Sequence, residues 1–121
     1  MKALIVEDFG YEALLLESLC ASAGAQTKIA STMQDARRFI SGPDSFDIIF
    51  LDLGLTDSSP KESVEAVPDL KKYTRVVIVT GYDNPELRES AKEADGFLSK
   101  NDPDYADRVM AELNRVARSV A

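Results

Sequence analysis

The sequence contains no histidine and only one cysteine. Without histidine, the chain has no imidazole for general base catalysis or for metal binding. A single cysteine excludes an internal disulfide and is typical of a protein from a reducing compartment, so we expect a cytoplasmic protein. Because Cys20 lies among leucines, in "ALLLESLCA", we expect it to be a packing thiol.

Long apolar runs and an excess of positive charge are also missing. The longest apolar runs have four residues, whereas a membrane-spanning helix needs about 20. The apolar stretch at the start of the chain is too short for a signal peptide. Fourteen Lys and Arg against 21 Asp and Glu give a net charge of −7. This charge disfavours nucleic acid and an anionic membrane as direct partners, and no glycine-rich nucleotide-binding pattern occurs.

The sequence does have five short apolar segments that alternate with helical patterns. In chain order the segments are 3–6, 27–30, 48–51, 76–79 and 97–98. Four of them are continuous rather than alternating, which is typical of parallel strands buried on both faces. The alternation predicts an α/β fold with a five-stranded parallel sheet between two helical layers, the doubly wound, flavodoxin-like sandwich of five βα units. We expect a single domain over residues 1–121.

Residues at the edges of the helical patterns predict where the helices begin and end. Three pairs place a capping side chain before a proline at the first helical position: Ser59–Pro60, Asn84–Pro85 and Asp102–Pro103. Ser59 and Glu62 also fit a capping box. Pro68 predicts that the third helix ends just before it. In the first helix, over residues 11–23, we expect Leu15 and Leu19 on the apolar face, with Leu16 and Cys20 beside them.

Polar side chains end four of the five strands, at the edge of a parallel sheet where ligands bind. They are Glu7 and Asp8 after the first strand, Asp52 after the third, Thr80 after the fourth and Lys100 after the fifth. Carboxylates within a few ångströms of one another raise one another's pKa unless a cation offsets their charge. Their oxygen atoms are ligands that suit Mg²⁺. A carboxylate can also attack phosphorus, and the cation, the lysine and the hydroxyl would then neutralise the phosphoryl oxygens.

This set of residues resembles the response-regulator receiver domain, the phosphoacceptor of two-component systems, over essentially the whole chain. The resemblance depends on the acidic pair Glu7–Asp8, on Asp52 after an apolar strand, on Thr80 followed by a small residue and on Lys100 after "GFLS". It implies that Asp52 is the phosphoacceptor. It also implies a Mg²⁺ site formed by Asp8, Asp52 and the backbone carbonyl of Gly54, with Glu7 helping through a water molecule.

The resemblance also implies which residues change conformation on phosphorylation and which residues set the lifetime of the aspartyl phosphate. Thr80 would move to the phosphoryl group, and Phe97 would turn inward behind it. Gly54 and Tyr82, two residues beyond Asp52 and Thr80, would tune the lifetime of the aspartyl phosphate. The ring of Tyr82 would cover the approach of water, or its hydroxyl would hold a water molecule.

The sequence departs from the family pattern in two places. Asn101 follows Lys100 where the family commonly has proline in a cis peptide, so we expect a trans bond here. The loop after Asp52 lacks the common PxxxG pattern, so we expect it to have its own shape, with Asp57 as a turn or solvated residue.

The implied function is phosphorelay signal transduction rather than enzymatic turnover of a substrate. Asp52 would take a phosphoryl group from the phosphohistidine of a sensor histidine kinase or a histidine phosphotransfer protein, with Mg²⁺ as cofactor, and phosphorylation would switch binding of a downstream partner. A homodimer that depends on phosphorylation stays open, as does whether the chain stands alone or belongs to a longer protein. The alternative is a phosphorylation-independent interaction module on the same fold. A phosphatase with an aspartate nucleophile is disfavoured, because "DLGLT" has Gly54 where that motif needs a second aspartate.

Overall fold

The computed structural model describes residues 1–82 and 84–120, with Val120 described by its backbone alone. Strands and helices alternate along the described chain, as predicted. In chain order they are β1 (Lys2–Val6), α1 (Gly10–Ser22), β2 (Gln26–Ala30), α2 (Met33–Ser41), β3 (Ile48–Asp52), α3 (Pro60–Leu70), β4 (Arg75–Thr80), α4 (Pro85–Ser90), β5 (Gly96–Ser99) and α5 (Tyr105–Val120). None of the described helices is both long enough and apolar enough to cross a membrane.

The five strands form one sheet in the order β2-β1-β3-β4-β5, and every neighbouring pair is parallel. From β1 the chain moves outward to β2, then returns to β3 on the other side of β1 and continues in that direction. This reversal places the topological switch point between the ends of β1 and β3, where doubly wound sheets bind ligands. The predicted flavodoxin-like fold is confirmed.

Helices cover both faces of the sheet, because alternate residues of each strand point to opposite faces. In β3, Ile49 and Leu51 belong to the core shared with α2 and α3. Ile48 and Phe50 belong to the core shared with α1 and α5. All five residues of β3 are buried, which is the reason that its apolar run is continuous in the sequence.

The buried face of α1 differs from the predicted one. Ala13, Leu16 and Cys20 are buried, Leu19 packs at the edge of the core, and Leu15 is exposed. The prediction for Leu15 was wrong because "ALLL" places four apolar residues in succession, so apolarity alone does not show which side of the helix faces the sheet.

The capping predictions for two helices are confirmed, and the predicted end of α3 is wrong. The side chains of Ser59 and Glu62 form the capping box of α3, and Asn84 accepts a hydrogen bond from the backbone N–H of Leu87 at 2.8 Å. However, α3 continues through Pro68 to Leu70. Proline removes one backbone donor, and burial of the apolar side chain of Leu70 holds the last turn in place.

The predicted start of α5 is also wrong by two residues. Asp102 and Pro103 lie in a turn, and the helix begins at Tyr105. The carboxylate of Asp102 accepts a hydrogen bond from the N–H of Asp104 at 2.9 Å, and its carbonyl accepts one from the N–H of Tyr105 at 3.0 Å. Asp102 therefore caps a turn that precedes the helix.

Candidate functional site

Lys100 lies at the centre of a group of carboxylates at the carboxyl edge of the sheet. It follows β5, and its ammonium lies 2.9 Å from Oε1 of Glu7 at the end of β1 and 3.3 Å from Oδ1 of Asp52 at the end of β3. A third carboxylate, that of Glu12 in the first turn of α1, is in close contact with the same ammonium. The strand ends therefore bring Glu7, Asp52 and Lys100 together, as predicted.

Backbone contacts to the end of β4 hold Lys100 in this position. Its N–H donates to the carbonyl of Thr80 at 2.8 Å, which extends the pairing of β4 and β5 by one residue. The side-chain amide of Asn101 donates to the carbonyl of Gly81 at 3.3 Å. No cis peptide bond occurs in the described residues, so the predicted trans bond between Lys100 and Asn101 is confirmed.

Glu7, Asp8 and Asp52 form a group that could hold a metal ion, since one carboxylate oxygen from each lies within 4.8 Å of the others. Glu7 and Asp52 are buried, and Asp8 is half-buried. Oε2 of Glu7 is buried without a hydrogen-bond donor among the described residues. Three clustered carboxylates, one with an unsatisfied oxygen, fit a hard divalent cation such as Mg²⁺.

The electrostatics of Glu7 support the same reading. Burial raises the pKa of Glu7 to about 9, and its hydrogen bonds with Asp52 and Glu12 act in the same direction, while Lys100 opposes the rise. The protonated carboxyl can donate to a neighbouring carboxylate, which the ionised form cannot do. Additional positive charge at this edge would therefore favour the ionised form of Glu7.

Lys100 remains charged in this setting. Burial opposes its charge, but the hydrogen bonds to Glu12 and Glu7 and the charge of Asp52 outweigh burial and raise the pKa of Lys100. For Glu12, burial likewise works against the charged form, and the hydrogen bonds with Glu7 and Lys100 lower its pKa. The edge therefore holds one permanent positive charge among several carboxylates.

Gly54 lies beside the carboxylate of Asp52, and Thr80 and Tyr82 lie at and just beyond the end of the neighbouring strand β4. Thr80 is buried at the end of β4, and its Oγ1 accepts a hydrogen bond from the N–H of Tyr82 at 2.9 Å, which leaves the hydroxyl able to donate. A Cβ atom on Gly54 would lie 3.2 Å from Cε2 of Tyr82 and 3.5 Å from Oδ2 of Asp52. The absence of a side chain at Gly54 therefore leaves room for the Tyr82 ring beside Asp52.

Phe97 lies on the same face of the sheet as Thr80. In the register of β4 and β5, Phe97 is paired with Ile78 and Ser99 with Thr80, so Phe97 lies one side-chain step before Thr80 on that face. Its ring packs at the edge of the core formed with α2 and α3. The guanidinium carbon of Arg88 lies 4.6 Å from the ring centroid. The switching role of Thr80 and Phe97 stays a prediction.

Sequence reasoning missed Glu12 as a member of the site. It lies in the first turn of α1, five residues after Glu7, and its position in the sequence is that of an ordinary surface residue of a helix. The one available signal was its proximity to the acidic pair. Its contact with Lys100 joins residues 88 positions apart, which no local pattern indicates.

Asp57 has a more defined role than the predicted turn or solvated residue. Its carboxylate accepts hydrogen bonds from the N–H groups of Met33 at 2.8 Å and Gln34 at 3.0 Å, at the start of α2. These bonds lower its pKa. Asp57 therefore caps a helix that precedes it in the chain, and it ties the loop after β3 to α2.

No family model matches the sequence, and no curated protein matches it. Several solved structures are similar over nearly their full length. A CheY-like response regulator receiver domain protein from Methanospirillum hungatei has 21% identity and a TM-score of 0.79, with 98% of this chain and 97% of that chain covered. The signal receiver domain of a putative LuxO repressor protein from Vibrio parahaemolyticus has 26% identity and a TM-score of 0.79, with 98% and 94% covered.

A third structure was solved with a cation and a beryllofluoride group. It is the response regulator TrrA from Thermotoga maritima in complex with Mg²⁺–BeF, with 22% identity, a TM-score of 0.77, and 95% of this chain and 97% of that chain covered. Nearly the whole of each chain is covered in all three cases, so the likeness extends over the complete fold.

Proposed function

We propose that this chain, which has the fold of a response-regulator receiver domain, accepts a phosphoryl group on Asp52. The solved receiver domains confirm the resemblance predicted from the sequence. One observation carries the proposal: Asp52, at the end of the central strand β3, lies 3.3 Å from the ammonium of Lys100, and its carboxylate belongs to the cluster with Glu7 and Asp8. A nucleophile, a fixed positive charge and a candidate cation site therefore occur together.

In the proposed reaction, an oxygen of Asp52 attacks phosphorus. The P–O bond to the aspartate forms as the P–N bond of a phosphohistidine breaks, and the imidazole leaves with a proton from solvent. Lys100 neutralises charge on the phosphoryl oxygens, and the hydroxyl of Thr80 donates a hydrogen bond to one of them. The chain therefore catalyses its own phosphorylation and is not a classical enzyme.

Mg²⁺ is the proposed cofactor. Asp8, Asp52 and the carbonyl of Gly54 would hold the ion, with Glu7 acting through a water molecule. A bound divalent cation neutralises charge on the transferring phosphoryl group. The clustered carboxylates and the unsatisfied oxygen of Glu7 support this assignment.

The proposed donor is a sensor histidine kinase or a histidine phosphotransfer protein in the cytoplasm. Thr80 and Phe97 would carry the change to the outer surface, and a downstream protein would bind the phosphorylated form. A homodimer that forms on phosphorylation is compatible with this scheme. The shared face of Thr80 and Phe97 supports the switch.

Intact-mass spectrometry after incubation with acetyl phosphate tests the proposal. With Mg²⁺, the folded protein should gain one phosphoryl group, and with EDTA in place of Mg²⁺ it should gain almost none. A folded protein that gains no phosphoryl group with Mg²⁺ would contradict the proposal and favour the phosphorylation-independent interaction module.

A further inference from the structure

The Lys100 ammonium donates hydrogen bonds to the carboxylates of Glu7 and Glu12 and forms an ion pair with that of Asp52. An ammonium has three N–H groups, and three carboxylates lie around it: Oε1 of Glu7 at 2.9 Å, Oδ1 of Asp52 at 3.3 Å, and Oε2 of Glu12 in closer contact. A phosphoryl oxygen on Asp52 that approaches Lys100 therefore competes with the carboxylates that already surround the ammonium.

The three partners differ in how readily they can leave. The side chains of Glu7 and Asp52 are 0% and 7% exposed, whereas that of Glu12 is 35% exposed. A buried carboxyl group that loses its hydrogen-bond donor or its cation is left without compensation. A partly exposed carboxylate regains hydration, so the loss of its ion pair costs little. Glu12 is thus the easiest partner to displace.

Glu12 also stands apart from the proposed reaction chemistry. Its oxygens do not belong to the carboxylate cluster of Glu7, Asp8 and Asp52, and it projects from α1 rather than from a strand end. Its charge would repel a phosphoryl group close to Lys100, because like charges at this distance interact unfavourably. Competition for Lys100 and repulsion of the phosphoryl group therefore act in the same direction.

We infer that Glu12 is a displaceable counter-ion of Lys100: it competes with a phosphoryl oxygen on Asp52 for the ammonium, and it thereby opposes the phosphorylated state. This inference rests on the proposed phosphorylation of Asp52. Glu12 is a positioning residue, since it acts through Lys100. Its neutralisation should favour the phosphorylated form.

Beryllofluoride, a stand-in for the phosphoryl group, provides the test. Its affinity is measured by calorimetry at saturating Mg²⁺ for wild type, Glu12→Gln and Glu17→Gln. Glu12→Gln should bind about two- to fivefold more tightly, the range expected from a partly exposed ion pair. Glu17→Gln makes the same charge change on the same helix, where Glu17 contacts Thr27 rather than Lys100, and it should match wild type.

A second measurement separates this role from a general structural one. The affinity for Mg²⁺ alone should be unchanged or lower in Glu12→Gln, because a negative charge has been removed. Tighter beryllofluoride with unchanged or weaker Mg²⁺ binding supports the inference, whereas a loosened fold would weaken both. Glu12→Ala, which keeps helix propensity, should give the same pattern and replaces the glutamine variant if that variant does not fold.

The outcomes distinguish the two proposals. If wild type binds beryllofluoride and neither Glu12 variant binds it more tightly than Glu17→Gln, the inference about Glu12 is overturned and the proposed function stands. If wild type with Mg²⁺ binds no beryllofluoride, the proposed function itself fails, and the inference fails with it.

Discussion

Each edge of the sheet has a buried glutamate, and the two glutamates differ in how completely their oxygens are hydrogen-bonded. At the amino edge, Glu112 of α5 accepts hydrogen bonds on both oxygens: Arg75 donates to Oε2 at 3.0 Å, and Arg115 donates to Oε1 at 2.9 Å. At the carboxyl edge, Glu7 has Lys100 at Oε1 and no donor at Oε2 among the described residues. Both side chains are buried.

The difference separates a structural edge from a candidate reactive edge. Also at the amino edge, Lys2 pairs with Asp44 at 2.8 Å, so both carboxylates have a cationic partner within the chain. At the carboxyl edge, Glu7, Glu12 and Asp52 share one lysine. Matched ion pairs stabilise the fold without needing a ligand, whereas unmatched carboxylates make binding of additional positive charge favourable. The unmatched edge is therefore the candidate binding site.

The largest effect should come from removal of the proposed nucleophile at the reactive edge. Asp52→Asn keeps the shape of the side chain, so the protein should fold, but it should gain no phosphoryl group from acetyl phosphate with Mg²⁺. Intact mass is the measurement. Asp44→Asn at the amino edge is the control and should be labelled like wild type. Stoichiometric labelling of Asp52→Asn would refute the assignment.

The next effect concerns the matched edge. Glu112→Gln should lower the free energy of unfolding by about 2 kcal/mol, because the partly buried Arg75 and the more exposed Arg115 lose a buried charged partner. Chemical denaturation measures this change. Glu89→Gln, in an exposed ion pair, should stay within about 0.5 kcal/mol of wild type. Phosphorylation of Glu112→Gln should be unaffected. If Glu112→Gln loses no more stability than Glu89→Gln, the ion pairs of the amino edge do not stabilise the fold as described.

At the reactive edge, the corresponding substitution Glu7→Gln should stabilise the fold relative to wild type as the pH rises, whereas Glu112→Gln destabilises it. The pKa of Glu7 is about 9 in the fold, against an ordinary value of 4.5, so the folded state holds a proton that the unfolded state releases first. The stabilising contribution of Glu7 to the free energy of unfolding of the wild type is therefore complete below pH 4.5. It declines as the pH rises toward 9. Glu7→Gln cannot lose this proton.

Unfolding without Mg²⁺ across that pH range is the measurement for Glu7. The stability of Glu7→Gln relative to wild type should rise with pH. If this difference in stability stays constant with pH, or falls, then ionisation of Glu7 does not destabilise the fold.

The third residue of the carboxylate cluster should affect the cation most directly. Asp8→Asn removes a negative ligand charge and should weaken Mg²⁺ binding by about tenfold or more, equivalent to about 1.4 kcal/mol. It should also slow phosphorylation and stabilise the metal-free fold, because crowded carboxylates repel. Calorimetric Mg²⁺ titrations of wild type, Asp8→Asn and Asp44→Asn measure the effect. Superimposable curves for all three would exclude Asp8 as a ligand.

The smallest effect concerns the lifetime of the phosphorylated state. Hydrolysis needs a water molecule in line with the aspartyl bond, and the ring of Tyr82 lies beside Gly54 and Asp52. Tyr82→Ala should shorten the half-life several-fold with Mg²⁺ affinity nearly unchanged; a tenfold change would equal about 1.4 kcal/mol in the barrier. Decay of the phosphorylated mass peak is compared with that of Tyr73→Ala, which removes another exposed tyrosine. Unchanged or slower decay in Tyr82→Ala would show that the ring does not shield the site.

Much of the fold follows from local features. The continuous apolar runs predicted the strands, because a strand buried on both faces needs apolar residues at successive positions. Capping residues such as Ser59 and Asn84 predicted helix starts, because their bonds reach only three residues along the chain. The parallel order then placed Asp52 and Lys100 at the same edge.

Other features escaped prediction because their causes are not local. The run "ALLL" did not show that Leu16 rather than Leu15 faces the sheet, and the helix through Pro68 persists because packing outweighs one lost hydrogen bond. The capping of α2 by Asp57 depends on a loop 24 residues further along the chain. Each of these outcomes was decided by docking of elements against one another.

The order of strands and helices and the residues that end each strand can be derived from the amino-acid sequence, since both depend on short-range pattern and on parallel geometry. The distribution of charge between the two edges of the sheet depends on the packing of distant segments instead. Arg75 and Glu112, which are 37 positions apart in the sequence, form an ion pair, and so do Lys100 and Glu12, which are 88 positions apart. Such pairs form where folded helices meet strand ends, so the matched edge, the unmatched edge and the role of Glu12 become visible only after the chain has folded.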